Sequence, residues 1–255
     1  MESIALRPRK ATEIVDAAIE VYRRNPVHFM LLTAMVHAPW LILQLLLIGN
    51  APPTAKIGTQ VLIGLGTAAS NYFMTAVVVQ MASDLYLGRD TDAFEAFRRV
   101  GWKLPTAFAA SLIQAILLLI GLGPGLLLLG FPAVYWTALY FAAIPAIVLE
   151  RKNLFEAFGR SSQLSKGLKL HVLSALGLVV IIRVMVGGGA AALLFLIPNN
   201  VAQRILSTLV SIIVYPIAGI SYALIYYDAR IRREGFDIEM MAGGAENVTI
   251  AAPVA

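Results

Sequence analysis

Asp92-Ala-Phe-Glu-Ala-Phe97 and Asn153-Leu-Phe-Glu-Ala-Phe158 are near copies of one short segment, and what flanks them decides the fold. Each opens on a residue able to cap a helix and carries Glu three positions later, a helix-start pattern. Each then runs through basic and small residues into a long apolar stretch. The N-terminal Glu13-Ile-Val-Asp-Ala-Ala18 fits the same frame more loosely, with Asp16 aligned to Glu95 and Pro26 to Pro105. In that segment Glu13, Asp16, Glu20, Arg23 and Arg24 share one side at helical spacing. Ile14, Ala18, Val21 and Tyr22 lie toward the other, as in a helix resting on a membrane surface.

Working outward, a transmembrane helix needs about 20 mostly apolar residues. Six runs meet that need: Val27–Gly49, Gly58–Ser83, Leu104–Leu122, Leu126–Leu149, Leu170–Leu196 and Ile205–Tyr227. Turn-forming clusters separate them within pairs, at Asn50-Ala-Pro-Pro-Thr-Ala-Lys56, Gly121-Leu-Gly-Pro-Gly125 and Pro198-Asn-Asn200. The fifth run contains Gly187-Gly-Gly189 and reads as a tilted helix, a kinked one, or a span followed by a re-entrant piece. The expected fold is all-α, a polytopic bundle of six transmembrane helices in three hairpins, each preceded by a cytoplasmic interfacial helix. Residues 1–241 form one integral membrane domain with repeat-like units at about 11–90, 91–151 and 152–236. Residues 242–255, rich in small side chains, read as a flexible tail.

Composition agrees. Hydrophobic residues make up 59% of the 255 and charged residues only 14%, against about 25% charged in soluble domains. The mean hydropathy is +0.77. All 15 acidic residues lie before the first run, between the second and third, between the fourth and fifth, or after the sixth. Of the 20 basic residues only Lys56, Arg183 and Arg204 lie elsewhere. This one-sided charge places both termini of a multi-pass membrane protein in the cytoplasm. It also accounts for the basic pI without a nucleic-acid partner.

Chemistry has little to use. The absence of cysteine removes disulfides, thiol nucleophiles and Cys-based metal sites. His28, His37 and His171 have no HExxH or other close carboxylate pattern, so neither metal nor cofactor is expected. No nucleophile elbow, P-loop or dinucleotide fingerprint is present. The candidate residues are instead Asp84, Glu150 and Asp228, which end the even-numbered spans, and Arg183, inside the fifth. An acid at a helix C-terminus opposes the dipole and needs a compensating partner. Arg89, Arg151 and Arg230 stand nearby, and Arg24, Arg99 and Arg160 lie on the interfacial helices. Two readings follow: the acids ring a vestibule that binds a cation or a partner's basic residues, or each pins an interfacial helix to its hairpin. Arg183 lies about 20 Å into its helix, where it binds a lipid phosphate or anionic substrate, or snorkels to the outer headgroups. His37, Gln44, Asn71, Gln80 and Gln114 are read as hydrogen-bonding ties between helices. Gly64, Ala68, Asn71 and Thr75 are read as a close-packing face. Pro39, Pro132, Pro145 and Pro216 mark kinks.

The stretches Val148-Leu-Glu-Arg-Lys-Asn-Leu-Phe-Glu-Ala-Phe-Gly-Arg-Ser-Ser-Gln-Leu-Ser-Lys-Gly167 and Tyr226-Tyr-Asp-Ala-Arg-Ile-Arg-Arg-Glu-Gly-Phe-Asp237 resemble segments of a bacterial six-span family. That family is the membrane domain of glycerophosphoryl diester phosphodiesterase and its stand-alone relatives. The opening Leu6-Arg-Pro-Arg-Lys-Ala-Thr-Glu-Ile-Val-Asp-Ala-Ala18 fits as well. The resemblance implies six spans and no activity, since the catalytic barrel of the full-length enzymes has no counterpart here. The expected function is a non-enzymatic anchor, scaffold or regulatory module acting through its cytoplasmic face. Its partners would be membrane lipids and a cytoplasmic protein, with homo-oligomerisation left open. The alternative is a transporter or permease subunit for a lipid-like or amphiphilic substrate, suggested by Arg183, the prolines and the glycine run.

Overall fold

The computed structural model describes residues 7–50, 56–122, 131–194, 196–197, 199–236 and 238. Its helices are α1 (Ala11–Arg24), α2 (Pro26–Asn50), α3 (Lys56–Tyr86), α4 (Ala93–Gly101), α5 (Leu104–Leu122), α6 (Phe131–Tyr140), α7 (Ala143–Leu149), α8 (Leu154–Ser165), α9 (Lys169–Leu194) and α10 (Asn200–Glu234). The short helices α1, α4 and α8 each introduce a pair of long ones. The expected tail and most of the first two turn clusters lie outside the described residues.

The three short helices begin alike. Glu13 and Glu156 close capping boxes with Lys10 and Asn153, while the Asp92 side chain accepts from the Glu95 amide at 2.7 Å. The repeat frame therefore aligns Glu13, not Asp16, with Glu95 and Glu156. An ungapped alignment anchored on Pro26 and Pro105 slips because α1 is longer, 14 residues against 9 in α4. In the corrected frame the fourth residue after each cap (Ile14, Ala96, Ala157) is fully buried, and so is the eighth (Ala18, Val100, Ser161) to within 1%. The opposite faces leave Phe94 and Phe155 exposed.

Each short helix packs beneath the hairpin that precedes it. The α4 helix lies against α3 and α2, α8 against α7 and α6, and α1 against α10 and α9, which closes the order into a ring. The long helices repeat it, with α3 against α5, α6 against α9, and α10 against α2. Helices α3, α7 and α10 pack on one another and form the inner set. The main core cluster runs from Ile14 and Leu32 through Val77 and Met81 to Leu164, Leu224 and Tyr226, joining all three units.

The fourth run is interrupted at Phe141–Ala142 between α6 and α7. Pro145 has no N–H to offer and its ring crowds the carbonyl four residues back. The freed groups find outside partners: Ser161 Oγ donates to the Leu139 carbonyl and accepts from the Ala142 amide, and Gln114 Nε2 donates to the Tyr140 carbonyl at 2.9 Å. Pro39 and Pro216 instead lie inside continuous helices. So does Gly187–Gly189, within α9, which leaves no re-entrant piece there. A methyl added at Gly64 would meet nothing within 4 Å, so Gly64 drops out of the expected close-packing face, whereas Asn71 reaches His37 of α2 and Thr75 is buried; the close approach of a glycine is at Gly66, under the Trp40 ring.

Candidate functional site

The acids that end the inner helices sit at the junctions of the ring. Asp84, fully buried, pairs with Arg99 of α4 at 3.0 Å, with Arg89 at 3.6 Å, and accepts from Gln80. Glu150 takes Arg160 of α8 in a fork at 2.8–2.9 Å and the Tyr226 hydroxyl. Arg160 also bridges to Glu234; that carboxylate first, then Glu150, raises the guanidinium's pKa further above its ordinary value. Asp228, 2% exposed, accepts from the Arg9 backbone amide just before α1 at 2.7 Å, from His171 Nε2 at 2.8 Å and from Arg232 Nε at 2.8 Å. Each acid thus ties the hairpin it ends to the next short helix.

Several expectations meet this geometry differently. Arg99 and Arg160 take the pairing role expected of them, whereas Arg24 bonds to Glu20 on its own helix. Arg230 approaches Glu150 at 4.0 Å. The His171–Asp228 pair is invisible in the sequence because its members are brought together only by the α9–α10 hairpin. Among the described residues no three His, Asp or Glu side chains converge as metal ligands do.

A vestibule of about 710 Å³ opens at this charged end, among the ends of the three inner helices. Among the described residues that line it, Asp84 is the one acid; the arginines are Arg89, Arg98, Arg99, Arg151 and Arg230, with Trp102, Val148 and Phe236 as apolar wall. The three expected carboxylates therefore do not share one vestibule. Glu150 and Asp228 are taken up at the helix junctions, and the cavity is basic rather than acidic.

Arg183 faces inward. Its guanidinium lies 4.2 Å from the Tyr215 ring centroid on α10, a cation–π contact. Tyr72 and Tyr222 lie within its electrostatic reach. The Tyr215 ring also packs on His37, whose Nε2 lies 3.3 Å from Asn71 Oδ1. Gln44 links to Thr67 and receives Arg204. These ties join α2, α3, α9 and α10 as expected of His37, Asn71 and Gln44. Gln80, by contrast, bonds within its own helix.

Six helical stretches are long and apolar enough to cross a membrane: Pro26–Leu47, Ile57–Tyr86, Leu104–Leu122, Phe131–Leu149, Lys169–Leu194 and Val201–Glu234. Their outer faces expose Ile42, Leu46, Leu112, Val180, Val184 and Leu209, surface that water would not tolerate over that length. The chain is a polytopic membrane protein. No family model, curated protein or solved structure matches it. For this membrane protein the geometry alone supplies the argument for function.

Proposed function

We propose that the protein is a non-enzymatic module of a bacterial inner membrane, with both termini in the cytoplasm, that anchors or regulates a cytoplasmic protein through its charged end. The observation that carries this reading is the convergence of all three short helices, their ion pairs and the basic vestibule on one end of the bundle. A cytoplasmic position for that end follows from its excess of arginine. The exposed Phe94 and Phe155 suit helices lying at the bilayer surface. The junction segments that resemble the stand-alone membrane domains of glycerophosphoryl diester phosphodiesterase, Val148–Gly167 and the described part of Tyr226–Asp237, make up this same end, and we assign the protein to that group on the resemblance.

Photo-reactive residues placed singly at the exposed Arg23, Asp90 and Val201 test the reading in intact cells. The first two are expected to give a discrete protein adduct, and Val201, at the opposite end, only lipid. Lipid adducts alone at all three positions would contradict a scaffold.

The transporter reading draws on one specific observation, the inward-facing Arg183 over Tyr215 beside a broken span. Discontinuous helices near polar groups line substrate sites in many transporters. It ranks second because Ser161 and Gln114 already satisfy the break.

A further inference from the structure

The inner helices end on residues with left-handed backbone: Gly88 (φ 74°) after α3, Gly235 (φ 65°) after α10, and Arg151 (φ 58°) after α7. Two of the three are glycine, the residue that adopts this conformation without a Cβ penalty. Among the described residues Arg151 is the one non-glycine with positive φ. Non-glycine residues persist there only where their surroundings over-determine them, and such positions cluster at ligand clamps. Here the surroundings are specific. The Lys152 amide bonds to the Ala146 carbonyl, and Lys103, 8% exposed, donates its ammonium to the Arg151 and Lys152 carbonyls at 3.1 and 3.5 Å. The Arg151 guanidinium stacks over Trp102, 5.3 Å from the ring centroid.

The outcome of this arrangement is a charge delivered to the vestibule. Among the described residues, neither Arg151 nor Arg98 has a carboxylate within ion-pair distance. Arg89 and Arg99 share Asp84, Arg99 also pairs with Glu95, and Arg230 pairs with Glu234. With those pairs set aside, Arg98 and Arg151 leave the cavity of about 710 Å³ with an excess of positive charge that an anion would neutralise. Planar guanidinium groups bind phosphate oxygens in forks, and arginine is favoured for that reason.

From this we infer that the vestibule is a binding site for a phosphate group, carried by a soluble phosphorylated molecule or by an anionic lipid headgroup, with Arg151 and Arg98 as its principal ligands. The inference rests on the proposed function only in placing the vestibule on the cytoplasmic side. An acidic protein segment is the competing occupant. It is less favoured because the two arginines without a carboxylate partner, Arg98 and Arg151, match the forked contacts of one phosphate rather than the length of a peptide.

The test uses the full chain in phosphatidylcholine nanodiscs, titrated with pyrophosphate by calorimetry. In parallel, native mass spectrometry follows lipid retention from mixtures of phosphatidylglycerol and phosphatidylcholine. Pyrophosphate binding points to a soluble ligand, and selective retention of phosphatidylglycerol to a headgroup. Either is expected to weaken about tenfold or more in Arg151→Gly, the loss of one forked charge-assisted contact. Glycine suits the backbone there, so thermal stability should hold or rise. Arg98→Ala, at an exposed position, should weaken binding similarly. Binding unchanged in both variants, or no binding from either phosphate source, overturns the inference. Photo-adducts that persist while phosphate binding is absent would sink this site and leave the proposed function standing; the reverse result would do the opposite.

Discussion

Replacing Asp228 by alanine is expected to lower stability more than any other single change at the charged end. The carboxylate is 2% exposed and takes three donors from three parts of the chain: the Arg9 amide, His171 and Arg232. Removing one side of a buried, hydrogen-bonded charge pair typically costs about 3–5 kcal/mol, because the partners are left desolvated and unpaired. For a chain of this size that corresponds to a fall in Tm of roughly 6–15 °C. The effect should also be local. With its anchor gone, α1 should detach first, so limited proteolysis should cut at Arg23 and Arg24 before other sites. Asp228→Asn keeps an acceptor for the Arg9 amide and should lose about half as much. If alanine leaves both Tm and the cleavage pattern unchanged, α1 is held by its apolar face alone.

The second large effect concerns the crossing of two inner helices. A methyl built on Gly219 of α10 would lie 2.6 Å from Val78 Cγ1 and 2.7 Å from its Cβ on α3. Val78 is fully buried, so it has nowhere to move. Small residues let helices in a membrane approach closely enough for dispersion contacts to hold them. Gly219→Ala should therefore cost about 1–3 kcal/mol by overpacking, and Gly219→Leu should prevent recovery of folded protein. Val78→Gly removes the clashing atoms but leaves a cavity of its own, so the double variant should lose clearly less than the sum of the two single losses. Size-exclusion profiles and thermal melts of the single and double variants measure this; additive losses would place the steric conflict elsewhere.

The six long helices were legible because hydropathy and one-sided charge are local properties of the chain. The short helices were legible too, since Asp92, Asn153 and the glutamates three residues on carry the capping pattern themselves. The frame slips in α1 for a physical reason: with one turn more than α4, it cannot match both the Glu95 start and the Pro105 landmark. Pro145 flags a disturbance in the fourth run. Whether it becomes a kink or a break depends on donors and acceptors lent by Ser161 and Gln114, which come from other helices. The same limit hides the sense of the vestibule. Three acids at three helix ends allow either a carboxylate ring or three pins; Arg160, Arg9 and His171 take up two of them, and Asp84 faces the cavity among arginines. Arg183 likewise finds its partner, Tyr215, only through the α9–α10 pairing.

The short helices dock beneath the preceding hairpins, with the first closing the ring under the third. The chain has no cysteine, so introduced pairs report proximity without background. Val15 packs with Val179 and Ala218 in one small cluster. Val15→Cys combined with Ala218→Cys should form a disulfide within one chain in mild oxidant, while Val15→Cys with Leu32→Cys, in the first hairpin, should not. A disulfide between positions 15 and 32 with none between 15 and 218 would mean that α1 folds under its own hairpin, and the ring would not exist.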